Sequence, residues 1–245
     1  MTCSACREDQ PGQFDFTMAF QPILDLPQQR FFAHEALVRG VNNESAATIL
    51  SRVNDQNRYW FDQQCRMRAI ELAAELGIPD RLSINFLPNA VYRAEACIRL
   101  TIETAERVGF PLDRIVFEVT EGEQVVDHAH LLSIITAYKK FGFLTAIDDF
   151  GSGYSGLNLL ADFQPDIIKL DMALTRGIDS DRVRRAIVSG ILTVCRDLGI
   201  DVIAEGIETK DELAALQDLG VASFQGYLFA RPVFRDFVRT WPQVG

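Results

Sequence analysis

The chain has 245 residues, of which 48% are hydrophobic and 24% charged, the balance of an ordinary globular protein with a core of its own. Its formal net charge of −10 argues against a general binder of DNA or RNA duplexes, which must present a basic face to phosphate. An anionic substrate is not excluded, because acids that hold metal ions reverse the local field.

No apolar run approaches the roughly 18–20 residues that span a bilayer, and the first twelve residues lack the apolar stretch of a signal peptide. The expected address is the cytoplasm, with no membrane partner. The five cysteines are irregularly spaced and suggest no disulfide framework. Cys3 and Cys6 form a C-x-x-C pair without a second pair to complete a zinc site, and read as free thiols on a tail.

After an N-terminal tail over 1–15, one domain is expected over 16–245, since no repeat, low-complexity stretch or linker divides the chain. Short β-rich runs predict strands over 17–24, 31–37, 81–86, 114–119, 143–147, 166–170, 201–204 and 222–225. Helical periodicity fills most of the intervals, as over 61–76, 94–108, 130–141 and 182–198. Gly77, Gly109, Gly142 and Gly199 follow these stretches as C-terminal caps. Strands alternating with helices predict an α/β fold, a (β/α)8 TIM barrel. One link breaks the pattern. Only about five residues, 26–30, join the first two strands, whereas a parallel crossover needs a dozen or more. The barrel is therefore predicted to carry one antiparallel strand.

In such barrels the active site lies at the C-terminal ends of the strands. Nearly every predicted strand ends there in polar residues: Glu35, Asn85, Glu118 with Glu121, Asp148 with Asp149, Lys169 with Asp171, Glu205 with Glu208, and Gln225. Any one alone reads equally well as a polar residue facing solvent. Together they crowd like charges around one barrel mouth, where carboxylates raise one another's pKa unless cations neutralise them. Oxygen ligands with an amide among them suit Mg²⁺ or Mn²⁺. His34, His128 and His130 make no zinc set. The adjacent Asp148 and Asp149 are the most informative feature. Successive strand side chains diverge, but a turn at the strand end can bring both carboxylates to one site, so that one bridges two metals. Two metals roughly 3.5–4 Å apart clamp the attacking and leaving oxygens of an in-line displacement at phosphorus. Gly151, Ser152 and Gly153 supply either a gating loop or an ordinary turn. The Asp-Phe-Gly string also occurs in kinases, but the other kinase motifs are missing from the sequence.

At these residues the sequence resembles the EAL-domain family, bacterial phosphodiesterases that open cyclic di-GMP, and within it the EAL domains attached to blue-light-sensing domains. The likeness runs from about 20 to 232, with the motifs in the family's order: Gln21-Pro22-Ile23, Glu35-Ala36-Leu37-Val38-Arg39, Asn85, Glu118-Val119-Thr120-Glu121, Asp148-Asp149-Phe150-Gly151, Lys169-Leu170-Asp171, Glu205-Gly206-Ile207-Glu208 and Gln225-Gly226-Tyr227. The resemblance implies a barrel with a reversed strand and two divalent cations. It assigns Glu35, Asn85, Glu118 and Asp148 to the first metal, with Asp148 and Asp149 on the second. Lys169 would position the attacking water. Glu205 would be either the general base or a further ligand. Glu121 would anchor the loop after Asp149, with Asp171 in a similar supporting place, while Glu208 and Gln225 orient the ligands. Gln21, Leu37 and Arg39 would contact cyclic di-GMP, Arg39 through phosphate, and the product would be linear pGpG. A homodimer coupled to the loop after Asp149 is implied too, with regulation by a partner or a sensory domain. Gly40 stands where the family often has tryptophan, and Leu87 where it often has serine. The alternative reading is a catalytically silent module that senses cyclic di-GMP or binds a protein.

Overall fold

The computed structural model describes residues 13–91, 94–120, 128–153 and 156–243; most of the expected tail, with Cys3 and Cys6, lies outside them. Eight strands close into a ring: β1 (Thr17–Asp25), β2 (Arg30–Arg39), β3 (Arg81–Asn85), β4 (Ile115–Thr120), β5 (Leu144–Phe150), β6 (Ile167–Leu170), β7 (Asp201–Ala204) and β8 (Ser223–Phe224). Neighbours from β2 to β8 pair parallel, and β1 lies antiparallel between β8 and β2. The reversed strand follows from chain length. A turn at 26–29 leaves no room for a crossover, so β2 folds straight back on β1. A ninth strand, β9 (Val233–Phe234), pairs with β1 outside the ring and was not foreseen. Two residues carry too little pattern to announce a strand.

The helices are α1 (Ala46–Leu50), α2 (Arg58–Leu76), α3 (Ala94–Val108), α4 (His128–Lys140), α5 (Gly156–Asp162), α6 (Met172–Thr175), α7 (Arg182–Leu198) and α8 (Lys210–Asp218). Their ends obey local chemistry. Asp181 caps α7 by accepting from the amides of Val183 and Arg184, and Gly199 ends it at φ 70°, a left-handed turn open to glycine at little cost. Among the described residues, no helix is long and apolar enough to cross a membrane.

The main core lies between the ring and its helices. A second apolar cluster includes Ile23, Ala33, Val116, Ala146, Ile167 and Ile203. Each stands two positions from a polar residue on the same strand or at its end: Gln21, Glu35, Glu118, Asp148, Lys169 and Glu205 in turn. With a side-chain period of two, an apolar floor thus dictates a polar layer directly above it at the C-terminal mouth.

One polar group is embedded in the main core. Arg66 of α2 is fully buried and ion-paired with Asp62. Its Nη1 donates to Tyr138 Oη at 2.9 Å, and its guanidinium lies 5.7 Å from the ring centres of Phe86 and Phe117. Asp62 Oδ1 accepts from the Leu87 amide at 2.9 Å, tying the β3 loop to α2. Burial pushes the Asp62 carboxyl up, against the pull of Arg66. Because the pair is dry, removing one partner strands the other. Arg66→Met is expected to cost about 3–5 kcal/mol, and Asp62→Leu with Arg66→Met to recover most of it. Urea unfolding of the three chains checks this, and a double variant no more stable than the single would refute the account.

Candidate active site

The polar layer converges on one buried ammonium. Lys169 Nζ lies 2.8 Å from Glu205 Oε1, 3.0 Å from Glu118 Oε2 and from Asp148 Oδ1, and 3.3 Å from Glu35 Oε2. Burial alone would lower the lysine's pKa, but the carboxylates outweigh it and hold it well above the ordinary value. Burial raises Glu118 and Glu205 well above the usual carboxylate range, their acidic neighbours add to this, and Lys169 opposes it. Asp149, half-buried beside Asp148 and Asp171, is pushed up to about 6.

The supports come from neighbouring strands. Glu35 Oε1 accepts from Asn85 Nδ2 at 2.9 Å, and Glu35 Oε2 from Gln225 Nε2 at 2.8 Å. Gln225 also donates to Gln21 Oε1 at 3.3 Å, while Gln21 Nε2 donates to the carbonyl of Ala230 at 3.1 Å. Ser83 hydroxyl donates to Glu118 Oε1. Sequence reading missed Ser83, although it stands two residues before Asn85 and so shares its face.

The Asp148–Asp149 pair is explained by backbone geometry. β5 runs three positions, from Ile147 to Phe150, while β6 runs two, from Ile168 to Leu170. This bulge inserts one residue into β5. Asp149 takes φ 53°, the left-handed region that aspartate tolerates better than most residues, and the alternation of side chains is broken there. Both carboxylates line one cleft of about 360 Å³, with Gln21, Glu35, Lys169, Glu205 and Gln225.

Two groups of acids there can each hold a cation. Oxygens of Glu35, Glu118 and Asp148 lie within 4.8 Å of one another, as do those of Asp148, Asp149 and Glu205. Asp148 belongs to both. Its Oδ1 is buried and, although near Lys169, accepts no hydrogen bond of good geometry. With all five carboxylates ionised, the one ammonium would leave four negative charges, the charge of two divalent ions. Every atom of these groups that could bind a cation is a carboxylate oxygen, the kind of ligand that suits Mg²⁺ or Mn²⁺; the ammonium has no lone pair to offer.

The other expected residues are more dispersed. Asp171 lines the cleft and caps α6, accepting from the Ala173 amide at 2.8 Å. Glu208 lines its rim and pairs with Arg176 at 2.8 Å. Leu37 and Asn85 face an adjoining, mainly apolar recess of about 260 Å³. Arg39 turns back, its Nη1 donating to the Val38 carbonyl at 2.7 Å. Glu121 lies outside the described residues. His34 is buried on β2 beside Phe31 and Phe237, away from the cleft. Met172, Gly206, Gly226 and Tyr227 also line the cleft; Gly226 packs so closely on the Ile207 backbone that no Cβ fits.

The EAL domain family matches residues 7–232. The chain belongs to this family. Among the relatives is the blue light- and temperature-regulated antirepressor BluF of Escherichia coli, 31% identical across 92% of this chain and 56% of its own length. Several proteins named cyclic di-GMP phosphodiesterases, from Escherichia coli and Pseudomonas aeruginosa, match at 29%, 33% and 31% identity. The chain thus spans about half or less of the length of these curated relatives. Among solved structures, a standalone EAL protein of Vibrio cholerae O395 in its cyclic di-GMP-bound form is 56% identical, with a TM-score of 0.89 over 91% of this chain and 94% of that one. The Klebsiella pneumoniae BlrP1 complex with manganese and cyclic di-GMP is 37% identical, with a TM-score of 0.86 over 92% of this chain and 57% of that one. Against the EAL pattern, Gly40 is covered by the Glu44 side chain, which accepts from the Asn42 amide at 2.9 Å. A bulky residue at 40 would have to displace it. Leu87 lines the apolar recess.

Lys169→Met removes the cation around which this EAL site is folded. At about 3 kcal/mol for the stranded acids, and 2–4 °C per kcal/mol for a domain of this size, it should lower Tm by about 6–12 °C in EDTA. Added Mn²⁺ should recover most of that loss. Thermal melts with and without Mn²⁺ decide it; an unchanged Tm in EDTA would show that the ammonium does not stabilise the site.

Proposed function

We propose that the chain hydrolyses cyclic di-GMP to linear 5′-pGpG with two divalent cations, Mg²⁺ or Mn²⁺. The observation that carries this reading is the pair of overlapping acid groups sharing Asp148 in one cleft. The relatives named as phosphodiesterases, and the cyclic di-GMP bound by the solved neighbours, support the substrate. Glu35, Glu118 and Asp148, with Asn85, would hold one cation; Asp148 and Asp149, with Glu205, the other. Bound there, two such ions supply Lewis acidity and make water a nucleophile at neutral pH.

The chain's own groups do the rest. Lys169 Nζ would donate to the attacking water and so position it. Glu205, 2.8 Å from that ammonium, would either complete the second cation's shell or take the water's proton at a carboxylate oxygen. The new P–O bond forms as the bond from phosphorus to one 3′ oxygen breaks; that oxygen takes a proton from solvent, and Glu205, as the base, returns its own to solvent. Gln21 presents its amide to the substrate from the cleft wall, and Leu37 offers an apolar surface in the adjoining recess. Arg39, exchanging the Val38 carbonyl for a phosphate oxygen, makes a charge-assisted contact. A homodimer coupled through the loop after Asp149, a cytoplasmic address, and control by a partner or sensory domain belong to the same proposal.

The match to an antirepressor favours one second reading, a silent EAL module that binds nucleotide or protein. Turnover separates the two. The purified chain should convert cyclic di-GMP to pGpG with either metal and stop in EDTA. Glu35→Ala should lower kcat about a thousandfold, ~4 kcal/mol of barrier. Chromatography of the products checks it; tight nucleotide binding with no product under either metal would establish the silent module instead.

A further inference from the structure

Of the five carboxylates in the two acid groups, Glu205 alone lies beyond its strand, on the loop joining β7 to α8, so something must hold it against Lys169. Thr175, fully buried at the end of α6, donates its hydroxyl to the Glu205 carbonyl at 2.7 Å. Gly206 takes φ 67° and passes so close to Met172 of α6 that a Cβ would collide with it. The stronger tie is Glu212, a buried carboxylate on the first turn of α8. Its Oε2 accepts from the amides of Glu208 and Thr209 at 3.1 and 3.2 Å, the reaching-back half of a capping box. Its Oε1 does something a cap does not need. It crosses to the segment after α6 and accepts from the Gly177 amide at 3.0 Å. Arg176 adds an outer tie to Glu208 at 2.8 Å.

We propose that Glu212 is a positioning residue that latches the Glu205 loop onto the α6 segment and thereby sets where the Glu205 carboxylate stands relative to Asp148 and Lys169. Nothing in a helix cap requires the Gly177 bond; only the joining of two rim loops does. One of them carries Glu205; the other follows α6, whose N-cap is Asp171, two residues beyond Lys169. The inference deepens the two-metal reading and rests on it, because Glu205 matters as ligand or base only there.

Glu212→Gln tests it selectively. The amide oxygen can still accept from Glu208 and Thr209 and keep the helix capped. The new NH₂ then faces the Gly177 N–H, donor against donor, and the latch opens. Thr209→Ala is the control that weakens the cap while leaving the latch. Mn²⁺ titration followed by electron paramagnetic resonance reads the site without turnover. The wild type is expected to take up two Mn²⁺. Glu212→Gln should weaken one of them about tenfold, within the range typical of groups that support a metal ligand, and lower kcat with KM little changed. Thr209→Ala should leave both Mn²⁺ affinities and kcat as they were, although its Tm falls. Thr175→Val, which deletes the hydroxyl at nearly constant shape, should weaken the same Mn²⁺ and carries the test if Glu212→Gln does not fold. Wild-type Mn²⁺ affinities in both variants, equal losses in Thr209→Ala, or fewer than two Mn²⁺ on the wild type would each overturn the proposal. A wild type that binds two Mn²⁺ without hydrolysing cyclic di-GMP would sink the enzymatic reading alone and leave the latch to be judged by its Mn²⁺ affinities.

Discussion

The structure depends on one buried ammonium. Lys169 reaches four carboxylates held by four separate elements: β2, β4, β5 and the end of β7. Removing these acids from water is costly unless each finds a partner, and Lys169, on β6, is near enough to serve all four at once. It is still one charge against many. The barrel therefore closes around a cluster in which carboxylates outnumber the one ammonium among them. Stability and function draw on the same residues here, which is why the mouth departs from the apolar rules obeyed by the floor beneath it.

Placing so many charges together needs little beyond strand periodicity. Ile23, Ala33, Val116, Ala146, Ile167 and Ile203 fill the barrel one layer down, and a step of two residues along each strand reaches the polar layer. Periodicity alone would give one acid from each strand end. The extra residue in β5 supplies the exception, because the bulge brings Asp149 beside Asp148 into the cleft instead of onto the opposite face. One inserted residue thus brings a second aspartate into the cleft, so that two groups of acids share Asp148.

Much of this was legible in the sequence, and the reasons are local. The hairpin length announced the reversed strand, and polar residues after apolar runs announced the mouth. Helices α3 and α7 were bounded correctly because glycine, Gly109 for one and Gly199 for the other, punctuates a strong apolar rhythm. What escaped reading was decided by distant contacts. Arg66 and Asp62 look like a surface i, i+4 pair on an amphipathic helix, yet the rings of Phe86, Phe117 and Tyr138 enclose the guanidinium from segments far along the chain. Glu212 looks like the third residue of a capping box, which it is; its bond to Gly177 depends on how two loops meet. Ser83 needed only the rule of alternation, applied back from Asn85. The leftward turn at Asp149 has no sequence signal stronger than its being aspartate.

The reversed strand has a consequence beyond topology. Were β1 parallel to the others, Thr17 would lie at the floor of the barrel, far from the chemistry. Running the other way, β1 begins beside Arg39 at the mouth, reaches the level of Glu35 at Gln21, and turns at the floor near Arg30. Residues 13–16 therefore approach the barrel at the end that holds the acid cluster. There Phe14 and Phe16 pack against Trp60 and Phe61 of α2, and β9 pairs with Ala19 and Phe20. The segment leading to β9 places the Ala230 carbonyl on Gln21, which in turn meets Gln225, the donor to Glu35. Both the start and the end of the barrel thus bear on the side chains around Glu35 through a short chain of hydrogen bonds.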